Sequence, residues 1–381
     1  MKKLVFWWNI PCKGIIDLLE DACSLESPYE CHVITGGTGK HRKSMGWAEA
    51  SALFPNHKIV SDEENWVEST TKLFETYTNA IHVFNGIDTL LFKHLIRQAQ
   101  LQKIPHIFMS EAFSNLYTGY KKCLKSLYMR YILPFKIRPF AKHALGIISL
   151  SGKRDFEIEQ FKRLGFSQDR IIPFGYWTNA APIHILSDAE YIHMLCPGLL
   201  EKYKGVDILI RAIHKLKKRG NNTKFLCHIT GKGSQLEFIK SLTRKLELED
   251  CVVIHGVLSE NQYEELLKKI DILVAPGRFE PWGIRINEAI QRGQAVVCSN
   301  GLGAAYLVQE SRGGIVYESG NVTALETALE TMLKEVNLQQ AKSANLRYAP
   351  TISTKVMAHK LLAYIHYLYS GENINASMIP R

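Results

Sequence analysis

Short apolar runs alternate with stretches of helical spacing along the whole chain. In the first half, KLVFWW, CHVIT, NAIHVF, IPHIFM and LGIISL are brief, rich in Val, Ile and Phe, and bounded by turn residues. That is the pattern of strands covered on both faces of a parallel sheet. GIIDLLEDAC, DTLLFKHLIRQAQ and RDFEIEQFKRLG lie between them with apolar residues three and four apart, which predicts crossover helices. The second half repeats the order. YIHMLC, TKFLCHI, CVVIHG, DILVAP and QAVVCS read as strands, and VDILIRAIHKLKKRG, SQLEFIKSLTRKL and ENQYEELLKKI as helices. Strand and helix in turn, twice over, predict an α/β protein of two doubly wound, Rossmann-like domains. PFGYWTNAAPIHILSDAE has Pro, Gly, Asn and Asp but little periodicity, so it is placed as the linker. The expected division is 1–180, 181–352 and a helical tail over 353–381 that crosses back to the first domain.

Length agrees with two domains, since 381 residues exceed what a single core usually supports. MKKLVFWWNIP imitates a secretory leader, but Asn9 and Pro11 break its apolar run, and a first strand fits it better. No stretch approaches the ~18 apolar residues of a membrane span. The cysteines, at 12, 23, 31, 123, 196, 227, 251 and 298, form no C-x-x-C pair. They read as reduced core residues of a cytoplasmic protein.

The formal charge of +10 is unevenly spread. Between Ala112 and Arg154 there is no Asp or Glu, while Lys121, Lys122, Lys125, Arg130, Lys136, Arg138, Lys142, Lys153 and Arg154 are all basic. Phe113, Tyr117, Tyr120, Tyr128, Tyr131, Phe135 and Phe140 share the stretch, and Tyr120, Leu124, Leu127, Tyr128 and Tyr131 fall on one helix face. Residues 117–142 therefore read either as a surface helix packed on its own domain or as a surface for anionic lipid headgroups or a polyanionic acceptor. No helix-turn-helix, zinc-finger or RNA-recognition signature accompanies the charge, so no nucleic-acid partner is expected.

Between DILVAP and QAVVCS runs FEPWGIRINEAIQRG, a crossover. Pro281 and Gly283 oppose an early helix start, so the helix is expected to begin near 282–284 and to stop at Gly293. Glu280 then sits in the loop above a strand's carboxyl end, and Glu288 lies about two turns into the helix. Ligands of open α/β sheets bind there, and a helix N-terminus suits a phosphate.

This stretch resembles the E-x7-E signature of the retaining glycosyltransferases of family 4, whose fold is GT-B, in the form EPWG that some branches carry. PGLLEKYKGVDILIRAI resembles the family's G-R-L-x-x-x-K-G-x-D-x-L-I-x-A segment, and ITGKGSQLE its G-x-G-x-x segment. VVIHGVLSENQYEELLKKIDILVAP and SNGLGAAYLVQESRGGIVYESGNVTAL resemble the segments that precede and follow E-x7-E, so the likeness runs over roughly residues 195–330 in order. The first domain matches in architecture only.

The resemblance implies roles that the chemistry of a sugar nucleotide supports, since diphosphates want cations or N–H donors and hydroxyls want carboxylates. Glu288 is similar to the ribose-binding carboxylate, and Glu280 to the one that approaches the donor sugar. Trp282, Gly283 and Ile284 would offer backbone N–H groups to the diphosphate. Lys204 matches the lysine that neutralises the leaving group; a surface lysine before a helix is its plain alternative. Leu199 replaces the arginine usual in that motif, and Arg278 or Arg285 would compensate unless each is simply solvated. Gly231, Lys232 and Gly233 would border the nucleotide or merely form a turn. Gly14 loosely resembles the glycine turn of the first domain, and Glu111 follows a strand where relatives carry a cleft-facing histidine or acid. His82 and His106, within apolar strands, read as core histidines.

Such enzymes need no metal, and no Asp-x-Asp pair is present to hold one. The implied activity is retaining transfer of a hexose or similar sugar from a nucleotide sugar to a glycan or lipid-linked acceptor. A bacterial surface glycan, O-antigen, capsule or exopolysaccharide, is the expected product, made at the inner face of the membrane. A nucleotide-sugar epimerase or hydrolase of the same fold, and an idle membrane-binding subunit, are the alternatives.

Overall fold

The computed structural model describes residues 1–10, 13–37, 52–60, 65–87, 91–113, 119–152, 155–180, 190–220 and 223–372. Of the residues singled out above, Pro11, Cys12, Tyr117, Lys153, Arg154 and the side chain of Lys122 lie outside the described residues. The chain divides into two compact units, Met1–Thr178 with Thr354–Arg381, and Asn179–Ser353.

The first unit is built on seven parallel strands: β1 Lys2–Trp8, β2 Tyr29–Gly36, β3 His57–Val60, β4 Ile81–Asn85, β5 His106–Ser110, β6 Ile147–Ser149 and β7 Ile171–Pro173. Their order is β3-β2-β1-β4-β5-β6-β7. Leu4, Val5, Phe6 and Trp7 of β1 are wholly buried, which is why the apolar run at the N-terminus belongs to a central strand. Trp7 packs with Phe74, Phe84 and Phe92 and donates its indole N–H to His82 Nδ1 at 2.9 Å. That bond fixes the tautomer, so His82 Nε2 donates to the Tyr77 carbonyl at 3.0 Å. Burial pushes the His82 imidazole down to about 4. His106 is 1% exposed, so both histidines are core residues. The helix Thr354–Ser370 is part of this unit: Thr354 donates to Asp21, and the Tyr29 hydroxyl lies 2.8 Å from His366 Nδ1.

The second unit has six parallel strands, β8 Ile192–Pro197, β9 Phe225–Thr230, β10 Val252–Gly256, β11 Ile272–Ala275, β12 Ala295–Ser299 and β13 Gly314–Tyr317, in the order β10-β9-β8-β11-β12-β13. Strand order reverses between β8 and β11, which opens a crevice at their carboxyl ends. The helix Val206–Lys218 buries Val206, Ile208, Leu209, Ile210, Ala212, Ile213 and Leu216 against the sheet, the stripe its spacing predicts. β3, β7 and β13 were not among the expected strands. Each is an edge strand of four, three and four residues, too short to show a run.

The basic segment is helical over Gly119–Leu127 and Leu133–Ala141, joined by one π turn, Tyr128–Ile132. Leu133, Pro134, Ile137, Phe140 and Ala141 are buried, so the packed-helix reading holds for its last part. Tyr120, Leu124, Leu127, Tyr131, Ile132 and Phe135 are between 49% and 75% exposed. Tyr128 leaves that face and packs against the core, with Lys125 Nζ 5.5 Å and Lys136 Nζ 5.2 Å from its ring centre. The extra residue of a π turn rotates the stripe.

Cys31, Cys196, Cys227, Cys251 and Cys298 are buried free thiols. Cys123 corrects the expectation that the cysteines are core residues, because it lies exposed on the basic helix.

Candidate functional site

The crevice between β8 and β11 holds a cavity of 240 Å³, lined by Gly198, Leu199, Lys204, Glu280, Gly283, Ile284 and Arg285 above a floor of Cys196, Val274 and Leu302. Two loops build it, one after each strand. They meet closely: Gly205 has φ of 71°, and a Cβ there would stand 2.1 Å from the Pro276 carbonyl oxygen. Only glycine fits such a left-handed, crowded position.

After β11 the chain avoids helix until Gly283, whose φ is 99°, and the helix Ile284–Gln291 starts there. Gly293, at φ 74°, ends it, as its position implies. The loop is tied to the turn after β12. Glu280 N–H donates to the Gly301 carbonyl at 3.1 Å, and the Glu280 carbonyl accepts from Gly303 at 3.2 Å. The Trp282 carbonyl accepts from Ala304 at 2.9 Å. The Trp282 side chain is a core residue, 2% exposed, with its indole N–H on Asn287 Oδ1 at 3.1 Å. The first-turn amides at Ile284 and Arg285 have no intrahelical acceptor and begin beside the cavity.

Lys204 Nζ lies 2.6 Å from Glu280 Oε1, and the two side chains are 21% and 28% exposed. The motif lysine and the first motif glutamate are therefore one pair. Arg278 does not line the cavity. Its guanidinium binds Asp207 bidentately at 2.8 and 2.7 Å and donates to the Lys202 carbonyl at 2.6 Å, while its N–H donates to Tyr203 O at 2.7 Å. This cation straps the Lys204 loop to the Glu280 loop, and of the two candidates to stand in for Leu199 it is the structural one. Arg285 lines the cavity instead. Leu199 itself is 50% exposed at the rim.

Glu288 faces its own helix neighbours. Oε2 accepts from Arg285 at 2.6 Å and from Arg292 at 3.4 Å, and its side chain is 14% exposed. The Arg285 guanidinium lies 5.5 Å from the Tyr263 ring centre. A second cavity of 390 Å³ opens on the other side of Arg285, lined by Gly198, Leu199, Gly231, Lys232, Glu260 and Tyr263 among others. Its wall is a backbone contact. Gly231, at φ 121°, would carry a Cβ 1.8 Å from the Gly198 carbonyl oxygen, and a Cβ on Gly233 would lie 2.5 Å from the Leu200 oxygen. Glu201 clamps the same loops by accepting from Ser234 N–H at 2.8 Å and Oγ at 2.5 Å, which holds its carboxyl below the usual range.

Asp207, Tyr263 and Arg292 were missed by sequence reasoning. Asp207 had a signal, being the aspartate of the K-G-x-D run; Tyr263 and Arg292 had none, because a helix tyrosine and a last-turn arginine are ordinary. Glu111 and Gly14 belong to the first unit. Glu111 is exposed beyond the end of β5, and Gly14 sits in the first turn of the helix Lys13–Ser24, its carbonyl accepting from Trp177 at 3.1 Å.

Residues 183–347 match the family model described as glycosyl transferases group 1. An uncharacterised glycosyltransferase of Methanocaldococcus jannaschii is 29% identical over 142 residues, 37% of this chain and 36% of that protein. A putative colanic acid biosynthesis glycosyltransferase of Escherichia coli is 27% identical over 173 residues, 44% of this chain and 40% of that protein. The chain thus spans less than half the length of these relatives. Among solved structures, Anabaena HepE in complex with UDP matches at a TM-score of 0.68 and 15% identity, over 96% of this chain and 99% of that one. The fold is GT-B. The group 1 match covers the second unit of that GT-B pair, the unit that holds both cavities.

Proposed function

We propose that the protein is a retaining glycosyltransferase of the E-x7-E type that takes its sugar from a nucleotide donor. The observation that carries this is the Lys204–Glu280 pair lining the β8/β11 crevice: a cation for a diphosphate and a carboxylate for sugar hydroxyls, 2.6 Å apart. Two cavities share Arg285, so a ligand with an anionic middle and two neutral ends fits both. The base and ribose occupy the 390 Å³ cavity beside Gly231, Lys232 and Tyr263, and the sugar the 240 Å³ cavity beside Glu280. The solved structure of Anabaena HepE in complex with UDP-glucose supports the donor class.

In the proposed mechanism the bond from the sugar's anomeric carbon to the diphosphate breaks, and negative charge grows on the leaving oxygen as it does. An acceptor hydroxyl oxygen bonds to that carbon on the same face, and its proton leaves with the diphosphate. Lys204, Arg285 and the first-turn amides of Ile284 and Arg285 stabilise the leaving group's charge, with no resident metal. Donor entry frees Lys204 from Glu280, and the carboxylate turns to the sugar. Glu288 holds Arg285 toward the diphosphate and takes the ribose diol. Arg278 acts through position, by fixing the two loops.

The acceptor is a glycan or a lipid-linked glycan at the inner face of a membrane, in surface-glycan synthesis; the Escherichia coli relative named for colanic acid biosynthesis supports this reading. The exposed basic and aromatic face around Tyr120 to Phe135 supports a membrane-surface location. Release of nucleoside diphosphate from a panel of nucleotide sugars tests the activity. One donor should be turned over, with the anomeric configuration kept in the product, and Glu280→Ala should lose it. Turnover of no donor, with none bound, would leave an idle membrane-binding subunit; inversion of configuration would overturn the retaining assignment.

A further inference from the structure

The end of the basic segment, with a turn further along the chain, forms a pocket in the first unit, apart from the residues at the carboxyl ends of its strands. A pocket of 760 Å³ lies between the end of the helix Leu133–Ala141 and the turn that leads into β7, lined by Phe135, Arg138, Lys142, Phe166, Ser167 and Arg170 together with backbone of neighbouring residues. These residues precede β6 and β7, so the pocket is at the amino-terminal edge of the sheet. Glu111 and Gly14 follow β5 and β1 and lie at the opposite edge.

The pocket is a built one. Arg138, Lys142 and Arg170 come from a helix, the residue after it and a separate turn, and all three line it. Two of the cations are held in place through one group each. Arg138 Nε donates to the Arg163 carbonyl at 3.3 Å, and Arg170 Nη1 to the Leu145 carbonyl at 2.8 Å. Among the described residues these are the bonds of the two guanidinium forks, which have further donors to offer a ligand. Gly165, at φ 108°, lets the Arg138 stem cross the turn: a Cβ there would touch Arg138 Cγ at 3.3 Å. Among the described residues no carboxylate is paired with any of the three cations and no Asp or Glu lines the pocket. Ser167 adds a hydroxyl that makes no bond to the short helix it precedes. Phe166 is buried at the base, and Phe135, 75% exposed, joins the pocket to the exposed face of the basic helix.

We propose that this pocket binds a phosphate ester group, and that at a membrane it clamps the phosphate headgroup of an anionic lipid. Bidentate guanidinium forks and an ammonium suit a phosphate's three oxygens, and Phe135 at the rim, with Ile132 and Tyr131 exposed one turn before it, suits the acyl boundary. A phosphomonoester is preferred over a phosphodiester, because three cations meet a dianion better than a monoanion. The clamp is a tether, at the opposite edge of the sheet from the carboxyl ends of the strands, where ligands of open α/β sheets bind. The membrane arm rests on the surface location proposed above; the phosphate arm does not.

Two probes separate the arms. Glycerol 3-phosphate is titrated into the full chain, and vesicles of phosphatidylcholine carrying either phosphatidic acid or phosphatidylglycerol, matched in surface charge, are sedimented with it. Binding of glycerol 3-phosphate, and tighter pelleting with phosphatidic acid, are expected, each reduced at least tenfold by Lys142→Glu and by Arg138→Gln. Lys142→Gln is the second variant, because Lys142 is exposed and its loss leaves the helix packing alone. Lys121→Glu with Lys125→Glu should weaken both kinds of vesicle equally and leave glycerol 3-phosphate binding unchanged. If glycerol 3-phosphate does not bind, or binds wild type and pocket variants alike, the pocket inference is overturned, and vesicles that still pellet leave only the membrane surface standing. If glycerol 3-phosphate binds through Lys142 but no vesicle pellets, the phosphate site holds with a soluble ligand and the membrane reading falls.

Discussion

Lys204 Nζ and Glu280 Oε1 stand 2.6 Å apart across the crevice between β8 and β11, although 76 residues separate them in the chain. Two loops that approach within a glycine's width, at Gly205 and Pro276, make that pairing possible. The two opposite charges neutralise one another, and a diphosphate sugar offers a partner to each member.

Different losses should therefore follow from the two members. Lys204→Ala is expected to lower turnover by about two to three powers of ten, the range for removing one stabiliser of a developing charge. Glu280→Ala should cut turnover more than it cuts affinity for the free nucleoside diphosphate, since its proposed partner is the sugar. Steady-state rates set beside titration of the diphosphate measure this. Equal losses in both for Glu280→Ala would assign that carboxylate to the nucleotide.

Glu288 has a structural side and, in the proposed function, a binding one. Its carboxylate accepts from Arg285 and from Arg292, both it and Arg292 being nearly buried, so Glu288→Ala leaves a poorly solvated guanidinium without its partner. A loss of stability of roughly 1–3 kcal/mol is expected, along with weaker nucleotide binding. Glu288→Gln keeps a hydrogen-bond acceptor and should recover most of the melting temperature but little of the affinity. Chemical denaturation and nucleotide titration on the two variants decide it; a Gln variant that restores both would remove the ribose role.

Gly231 and Gly220 both have positive φ, 121° and 76°, but only Gly231 faces backbone. Gly220→Ala should cost about 1–2 kcal/mol, the strain of the left-handed region. Gly231→Ala must also push the β8 and β9 loops apart at Gly198, and should cost clearly more and weaken nucleotide binding. Equal destabilisation in urea melts would mean that the loop contact is not rigid.

Acid should destabilise the fold through its buried histidines. His82 and His228 are pushed down to about 4, chiefly by burial, and His57, His94, His106 and His255 are lowered by burial as well. A lowered histidine is neutral in the native state and binds its proton more readily when unfolded. Its contribution is thus complete above the unfolded value near 6.5 and is lost as pH falls from there toward 4. For His82, protonation also removes the lone pair that accepts from Trp7. The melting temperature should drop between pH 7 and pH 5, with a slope that His82→Gln reduces. A flat profile over that window would contradict the neutral buried tautomer.

Legibility in the sequence followed the length and burial of the elements. β1, β8, β11 and β12 are central and covered on both faces, so their apolar runs were visible. β3, β7 and β13 are edge strands and also only three or four residues long, whereas the edge strand β10, of five residues, still showed its run. The site showed in the same uneven way. Gly283 and Gly293 mark the ends of the helix Ile284–Gln291 because a positive φ needs glycine, and their spacing placed both glutamates. Partnership was not visible. Nothing in the chain's order says that Arg278 is consumed by Asp207 or that Arg285 is shared between Glu288 and Tyr263, since these pairs depend on how two loops and two helices meet. The basic segment was legible as an amphipathic helix, but the π turn at Tyr128–Ile132 altered which aromatic residues face outward.

Calorimetric titration of UDP, GDP and ADP into the wild-type chain and into Lys204→Ala tests the central claim most directly. The account predicts that at least one diphosphate binds the wild type and that Lys204→Ala weakens it at least tenfold, about 1.4 kcal/mol, with the fold intact. Binding of none of the three, or equal binding by both proteins, would contradict a nucleotide-sugar site in the β8/β11 crevice.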